Sequence, residues 1–113
     1  MLNKLLLILF LTLTLVLGSV HTTALAVNID TGAKIFEAQC AGCHIGGGNI
    51  VRRGKTLKKK ALENNHVDTL EAISSLVTNG KNNMSAYKDR LTEAEIQEVS
   101  AYVLEQAQKN WKN

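Results

Sequence analysis

Two cysteines and a histidine stand close together in the segment Cys40-Ala41-Gly42-Cys43-His44. Two thiols at this spacing can each form a thioether with one vinyl group of a porphyrin, and the histidine that follows directly can ligate the iron. The segment therefore predicts covalent attachment of one c-type haem through Cys40 and Cys43, with His44 as the proximal axial ligand.

Two other uses of the cysteines, a zinc site and a redox dithiol, fit the sequence less well. A structural zinc site needs four ligands, and past residue 26 the only cysteines and histidines are Cys40, Cys43, His44 and His66. A thioredoxin-like dithiol needs a strand–helix–strand setting, whereas no segment near residue 40 alternates like a strand. Because haem attachment uses both thiols, no structural disulfide is expected.

The residue on the other side of the iron decides between electron transfer and ligand chemistry. Met84 is the one methionine after residue 26, and its polar neighbours make it a poor core residue. His66, the one histidine there outside the motif, lies in a polar stretch before a predicted helix. Met84 is therefore the predicted distal ligand, and His66 is the alternative. A thioether raises the reduction potential, whereas a second imidazole would lower it.

The first 26 residues have the pattern of an export signal. Lys4 precedes an apolar run from Leu5 to Leu17, and the small-residue site Ala24-Leu25-Ala26 follows. A membrane anchor is the alternative, but the apolar run is shorter than the roughly 20 residues that a span needs. We expect cleavage after residue 26, which leaves a mature domain at 27–113 without a membrane span. The signal should export this domain to the compartment in which c-type haem is attached.

The rest of the chain predicts an all-α fold, one small helical domain wrapped around the haem. Polar capping residues mark the expected helix starts: Asp30 or Thr31, Thr56, Asp68 and Thr92. The first of these helices should deliver Cys40 at its end, and Gly80 should stop the third. The absence of proline, repeats and low-complexity tracts indicates a single domain.

The charge is nearly balanced but unevenly distributed. Of the 13 Lys and Arg residues only Lys4 precedes residue 27, so the mature chain has 12 of them. Against its 10 Asp and Glu residues this gives a net charge of +2. Six cations fall between Arg52 and Lys60. This run either forms a solvated face or steers the protein toward an acidic partner. Without interleaved aromatic residues it does not predict nucleic-acid binding.

Taken together, the motifs resemble the cytochrome c6 family over essentially all of residues 27–111. The resemblance rests on the haem motif and on five further segments: Gly32-Ala33-Lys34-Ile35-Phe36, Lys55-Thr56-Leu57-Lys58-Lys59, Val77-Thr78-Asn79-Gly80-Lys81, Met84 with Arg90-Leu91-Thr92, and Ala101-Tyr102-Val103-Leu104.

This resemblance implies a class I cytochrome c fold and a monomeric one-electron carrier rather than an enzyme. It implies transfer from cytochrome f of the b6f complex to photosystem I, or to cytochrome oxidase, in the thylakoid lumen, with the periplasm as a further possible location. The same resemblance implies haem attachment through Cys40 and Cys43, iron ligation by His44 and Met84, docking through Arg90, and packing of Gly32 and Phe36 against Tyr102. Lys55, in the basic run, is the second predicted docking residue.

Two positions depart from the family pattern. Leu76 stands where the family usually has a glutamine near the haem, and an aliphatic residue there is typical of relatives with a lower potential. Ser85 replaces a common proline after Met84, which frees the loop and costs about 0.4–1 kcal/mol through the entropy of the unfolded chain. We expect a potential tuned by Leu76 and a more labile iron–sulfur bond.

Three functions remain open at this point. The first is the electron carrier, either the ordinary donor to photosystem I or a lower-potential paralogue with another partner. The second is a haem enzyme or gas sensor, which requires Met84 to leave the iron free. The third is an adaptor without haem that uses the basic run to bind an acidic surface.

Overall fold

The computed structural model describes residues 1–17 and 26–112. Helix α1 spans Leu2–Leu17 and leaves large apolar side chains such as Leu5, Ile8 and Phe10 exposed. None of the helices in the described ranges has the length and apolar character that membrane crossing requires. The export signal remains a prediction, and Ala24 and Leu25 of its cleavage site lie outside the described residues.

Helix α2 (Ile29–Gln39) carries the first cysteine to its end. The predicted cap at Asp30 or Thr31 was wrong, because the Asn28 side chain accepts a hydrogen bond from the Thr31 N–H and starts the helix earlier. The Asn28 side chain thus satisfies one of the N–H groups that the first turn leaves free. Cys40 caps the C-terminus, as predicted, and a single turn α3 (Ala41–His44) follows.

The chain then forms two short 3₁₀ turns, Ile45–Gly47 and Arg53–Lys55, before helix α4 (Lys59–Asn64). The predicted start at Thr56 was wrong, since Lys58 occupies the cap position without a side-chain hydrogen bond. Helix α5 (Leu70–Asn79) is capped by Thr69 rather than by the predicted Asp68.

The two remaining helix signals are confirmed. Gly80 ends α5 with a φ of 68°, and Thr92 and Glu95 form the capping box of α6 (Glu93–Gln108). Over the described residues the regular structure is helical and contains no strand, apart from one isolated bridge between Lys81 and Met84. The all-α prediction is confirmed.

The core lies where α2 and α6 cross and where α5 packs on α6. Gly32 is buried, and a Cβ added to it would run into the Glu98 backbone, so the two helices approach closely at this position. The Phe36 ring lies 5.4 Å from the Tyr102 ring. The packing implied by the resemblance is confirmed. Trp111 adds a third ring, 5.0 Å from Phe36, which ties the chain end to the crossing.

Candidate functional site

An apolar cavity of about 350 Å³ opens beside this core, within the usual range of small-molecule and cofactor sites. Aliphatic and aromatic side chains from α2, α4, α5 and α6 form much of its wall, among them Phe36, Leu62, Ile73, Val77 and Val103. The turns at 49–57 and the segment 81–87 complete the wall, so the cavity lies between the helical core and these connecting segments.

Five of the predicted site residues lie on the wall of this cavity: Cys40, Cys43, Lys55, Leu76 and Met84. Residues separated by more than 40 positions in the chain are therefore brought to one space by the packing of α2 against the segment after α5. Two predicted residues, His44 and Arg90, are not part of the wall. His44 adjoins it through Cys43, and Arg90 adjoins it through Tyr87.

The two cysteines differ in their surroundings. Cys40 is half-buried against the core, whereas Cys43 is exposed. Burial raises the pKa of the Cys40 thiol to about 11, because a thiolate there would lose its hydration. At neutral pH the Cys40 sulfur is therefore a neutral group, and conversion to a thioether would remove its ionisable proton altogether.

The His44 ring is fixed by a hydrogen bond to the backbone. Its Nδ1 lies 2.9 Å from the Gly48 carbonyl oxygen, and since a carbonyl can only accept, Nδ1 carries the proton. The other ring nitrogen, Nε2, then keeps its lone pair for a metal, the arrangement that metal-binding histidines commonly show. The Gly48 N–H donates in turn to the Ile45 carbonyl at 3.0 Å, so the acceptor is itself held.

Met84 is held through its backbone at the other side of the cavity. Its N–H donates to the Lys81 carbonyl and its carbonyl accepts from the Lys81 N–H, both at 3.0 Å. A Cβ at Gly80 would collide with the Met84 carbonyl, so the tight turn needs a glycine at that position. The alternative ligand, His66, is exposed and does not line the cavity.

The charged and tuning residues surround the same space. Leu76 is half-buried on the wall and places only aliphatic carbon there. All six cations between Arg52 and Lys60 are exposed, and two of them, Arg52 and Lys55, reach the cavity wall. Lys55 Nζ also donates to Asn65 Oδ1, which connects the basic run to the end of α4.

Sequence reasoning missed two long-range hydrogen bonds around the site. Tyr87 donates from its hydroxyl to the Gln39 carbonyl at 3.0 Å, and Trp111 donates from Nε1 to the Leu57 carbonyl at 3.0 Å. Each bond joins segments about 50 residues apart, and neither has a local pattern that could reveal it. The only available signal was the presence of amphipathic aromatic residues, which usually find a polar partner when buried.

The donor groups and the cavity together fit a c-type haem. Two thiols at the wall, one imidazole nitrogen and one thioether sulfur are the groups that such a haem uses for attachment and iron ligation. Apolar walls suit a porphyrin face. By contrast, no cluster of three or more His, Cys, Asp and Glu side chains that could bind a bare metal ion occurs in the described ranges.

Comparison with known proteins agrees with this chemistry. The model of a family described as cytochrome c oxidase, cbb3-type, subunit III, matches residues 27–103. A protein named "Cytochrome c6-like" from Nostoc sp. is 54% identical over 110 residues, which cover 97% of this chain and 99% of that one.

Solved structures give the same result for the fold. Cytochrome c6C from Synechococcus sp. PCC 7002 superposes with a TM-score of 0.69 at 64% identity, covering 71% of this chain and 98% of that one. Cytochrome c6 from the diatom Phaeodactylum tricornutum gives 0.73 at 44% identity, with coverages of 74% and 99%. The predicted class I cytochrome c fold is confirmed.

Proposed function

The chain belongs to the cytochrome c6 family, and from that premise we propose that it carries single electrons on one haem attached through Cys40 and Cys43. Membership implies a c-type haem and the role of an electron carrier rather than an enzyme. When bound, such a haem supplies an Fe(II)/Fe(III) couple. The number of haems and their covalent attachment are part of the proposal.

The observation that carries the proposal is that Cys40, Cys43 and Met84 line one apolar cavity and that His44 directly follows Cys43. Cys40 and Cys43 provide two attachment points on the wall. His44 offers Nε2 because Nδ1 is committed to Gly48. Met84 offers its thioether from a loop that Lys81 holds. A filled site on each side of the iron suits electron transfer, because neither face is left for a substrate.

We propose that the mature chain, residues 27–113, acts in the thylakoid lumen of a cyanobacterium or plastid, or in the periplasm. Relatives named cytochrome c6 occur in cyanobacteria and red algae. The proposed donor is cytochrome f of the b6f complex, and the proposed acceptors are photosystem I and cytochrome oxidase. Arg90 and Lys55, both exposed beside the cavity, are the proposed docking residues.

A lower-potential paralogue with a different partner is the second candidate, and Leu76 is the observation that favours it. Leu76 puts aliphatic carbon on the cavity wall, so no side-chain dipole from this position acts on the iron. The names "Cytochrome c6-like" and cytochrome c6C among the similar proteins agree with such a variant.

The midpoint potential of the purified holoprotein tests these proposals together. We expect a positive value from optical redox titration, because a thioether favours Fe(II). A value as high as that of ordinary cytochrome c6 supports the photosystem I donor, and a moderately lower positive one supports the paralogue. A value near or below zero would contradict ligation by Met84.

A Met84→Ala variant separates the carrier from a haem enzyme or gas sensor. If Met84 ligates the iron, the reduced wild-type protein should bind carbon monoxide slowly and weakly, whereas the variant should bind it rapidly. Equal, rapid binding by both proteins would show that one face of the iron is open in the wild type, and the carrier proposal would then fail.

Docking is tested by flash-induced oxidation of the reduced protein by photosystem I. Arg90→Gln should slow the bimolecular step and reduce its dependence on salt, because an exposed interfacial charge acts mainly on the association rate. Lys34→Gln removes an equal charge from α2 at an exposed position that does not line the cavity and is the matched control. Equal rates for the two variants would contradict docking through Arg90.

A further inference from the structure

Tyr87 connects the two sides of the cavity. It follows Met84 by three residues, and its hydroxyl donates a 3.0 Å hydrogen bond to the carbonyl of Gln39. Gln39 is the last residue of α2 and directly precedes Cys40. One hydrogen bond therefore joins the loop that carries Met84 to the helix end that carries the first cysteine.

The position of the Tyr87 hydroxyl is set by a well-anchored backbone. The Tyr87 N–H donates to the Val77 carbonyl in α5 at 2.9 Å, and the Tyr87 carbonyl accepts from the N–H groups of Arg90 and Leu91, also at 2.9 Å. The guanidinium of Arg90 lies 4.1 Å over the centre of the ring. Because backbone and ring are both held, little conformational freedom remains to oppose the hydroxyl bond.

The segment between Met84 and Tyr87 has few restraints of its own. Ser85 and Ala86 are exposed, and the Ser85 N–H makes no hydrogen bond within the described part of the chain. Before Met84 the loop is held by Lys81, and after Met84 the next fixed point is Tyr87. The stability of the Met84 position therefore depends on how firmly Tyr87 is held.

We propose that Tyr87 is a positioning residue, whose hydroxyl ties the Met84 loop to the C-terminus of α2 and keeps the thioether at the cavity. This inference rests on the proposed ligation of the iron by Met84. The carbonyls in the last turn of a helix lack intrahelical partners, so the Gln39 carbonyl is a suitable acceptor. Loss of the hydroxyl removes the tie between the loop and the C-terminus of α2 and leaves the Tyr87 ring in the cavity wall.

The test uses Tyr87→Phe in the ferric holoprotein, with imidazole as the competing ligand and the visible spectrum as the readout. Phenylalanine keeps the ring that packs on Arg90 and removes only the hydroxyl. We expect imidazole to bind about two- to tenfold more tightly than to the wild type, which is the range of one net hydrogen bond. Tyr102→Phe is the matched control, since its ring does not line the cavity; it should leave the affinity unchanged.

A second substitution provides a rescue. Proline at position 85 restrains the backbone next to Met84 at a site where no N–H bond is lost. The double variant Ser85→Pro/Tyr87→Phe should therefore bind imidazole less tightly than Tyr87→Phe alone. A weaker affinity of the double variant for imidazole, close to that of the wild type, would show that the hydroxyl acts by restraining the loop.

Two results would overturn the inference, and they differ in what else they overturn. If Tyr87→Phe lowers resistance to urea but binds imidazole like the wild type, the hydroxyl serves global stability only, and ligation by Met84 is untouched. If the wild type already binds imidazole as tightly as Met84→Ala does, then Met84 does not hold the iron, and the proposed ligation fails together with the inference.

Discussion

Replacement of Gly47 by alanine should disturb the protein through one specific contact, the ring of Trp111. Gly47 is buried and has a φ of 75°, and a Cβ at this position would lie less than 3.0 Å from three atoms of the indole. The indole cannot easily turn away, because its Nε1 donates to the Leu57 carbonyl at 3.0 Å and its ring packs on Phe36 at 5.0 Å.

Two costs add up at this position. Placing a residue with a Cβ in the left-handed region lowers the free energy of unfolding by about 1–2 kcal/mol. Forcing an extra carbon into a packed site lowers it by about 1–3 kcal/mol more. Gly47→Ala should therefore lower the free energy of unfolding by about 2–5 kcal/mol. The neighbouring Gly46 is the matched control, since its φ is 59° and no atom lies within 4 Å of the added Cβ. Gly46→Ala should lose only the left-handed cost, about 1–2 kcal/mol.

Urea unfolding of the holoprotein, followed by circular dichroism, measures both variants. The difference between them, about 1–3 kcal/mol, should disappear in a Trp111→Ala background, because the atoms that the new Cβ meets are then gone. Equal losses for Gly46→Ala and Gly47→Ala in the wild-type background would refute the reasoning, since the Trp111 contact would then contribute nothing.

Two further predictions concern single side chains. Leu76→Gln should raise the midpoint potential, because an amide N–H turned into the cavity disfavours the ferric charge. The expected rise is about 20–65 mV, the one-electron equivalent of a polar interaction of about 0.5–1.5 kcal/mol. An unchanged or lower potential would contradict tuning at this position. Ser100 is 0% exposed, and its hydroxyl has no hydrogen-bond partner in the described ranges. Ser100→Ala should thus raise the free energy of unfolding by about 1 kcal/mol, and a loss of stability in urea would indicate an unseen partner.

Local patterns predicted four helices, and of their expected N-terminal caps only Thr92 is confirmed. Ile96, Val99 and Val103 recur at helical spacing in the sequence and are all buried, because an apolar period of 3.6 residues marks the face of a helix that packs on the core. The caps were less accurate: near Asn28, for example, several polar residues could satisfy the free N–H groups, and tertiary packing selects among them. Sequence therefore predicted α2, α4, α5 and α6 but not the single turn α3, and it placed the starts of α2, α4 and α5 away from the observed caps.

The site shows the same division between local and long-range information. Cys40, Cys43 and His44 lie within five consecutive residues, so the predicted haem-attachment site could be recognised from the sequence alone. The bonds of Tyr87 to Gln39 and of Trp111 to Leu57 depend on how distant segments pack. No property of either aromatic residue in the sequence specifies its acceptor, so these bonds required the structure.

Backbone carbonyls, rather than charged side chains, hold both proposed axial residues. His44 donates from Nδ1 to Gly48, and the Met84 loop is held by Lys81 and, through Tyr87, by Gln39. A carboxylate in place of the Gly48 carbonyl would make the imidazole more basic and would favour Fe(III). A carbonyl is uncharged and does not titrate, so the partner of His44 remains the same across the physiological pH range. If His44 and Met84 ligate the iron as proposed, an imidazole without a charged partner and a thioether both favour Fe(II), as a carrier with a positive potential requires.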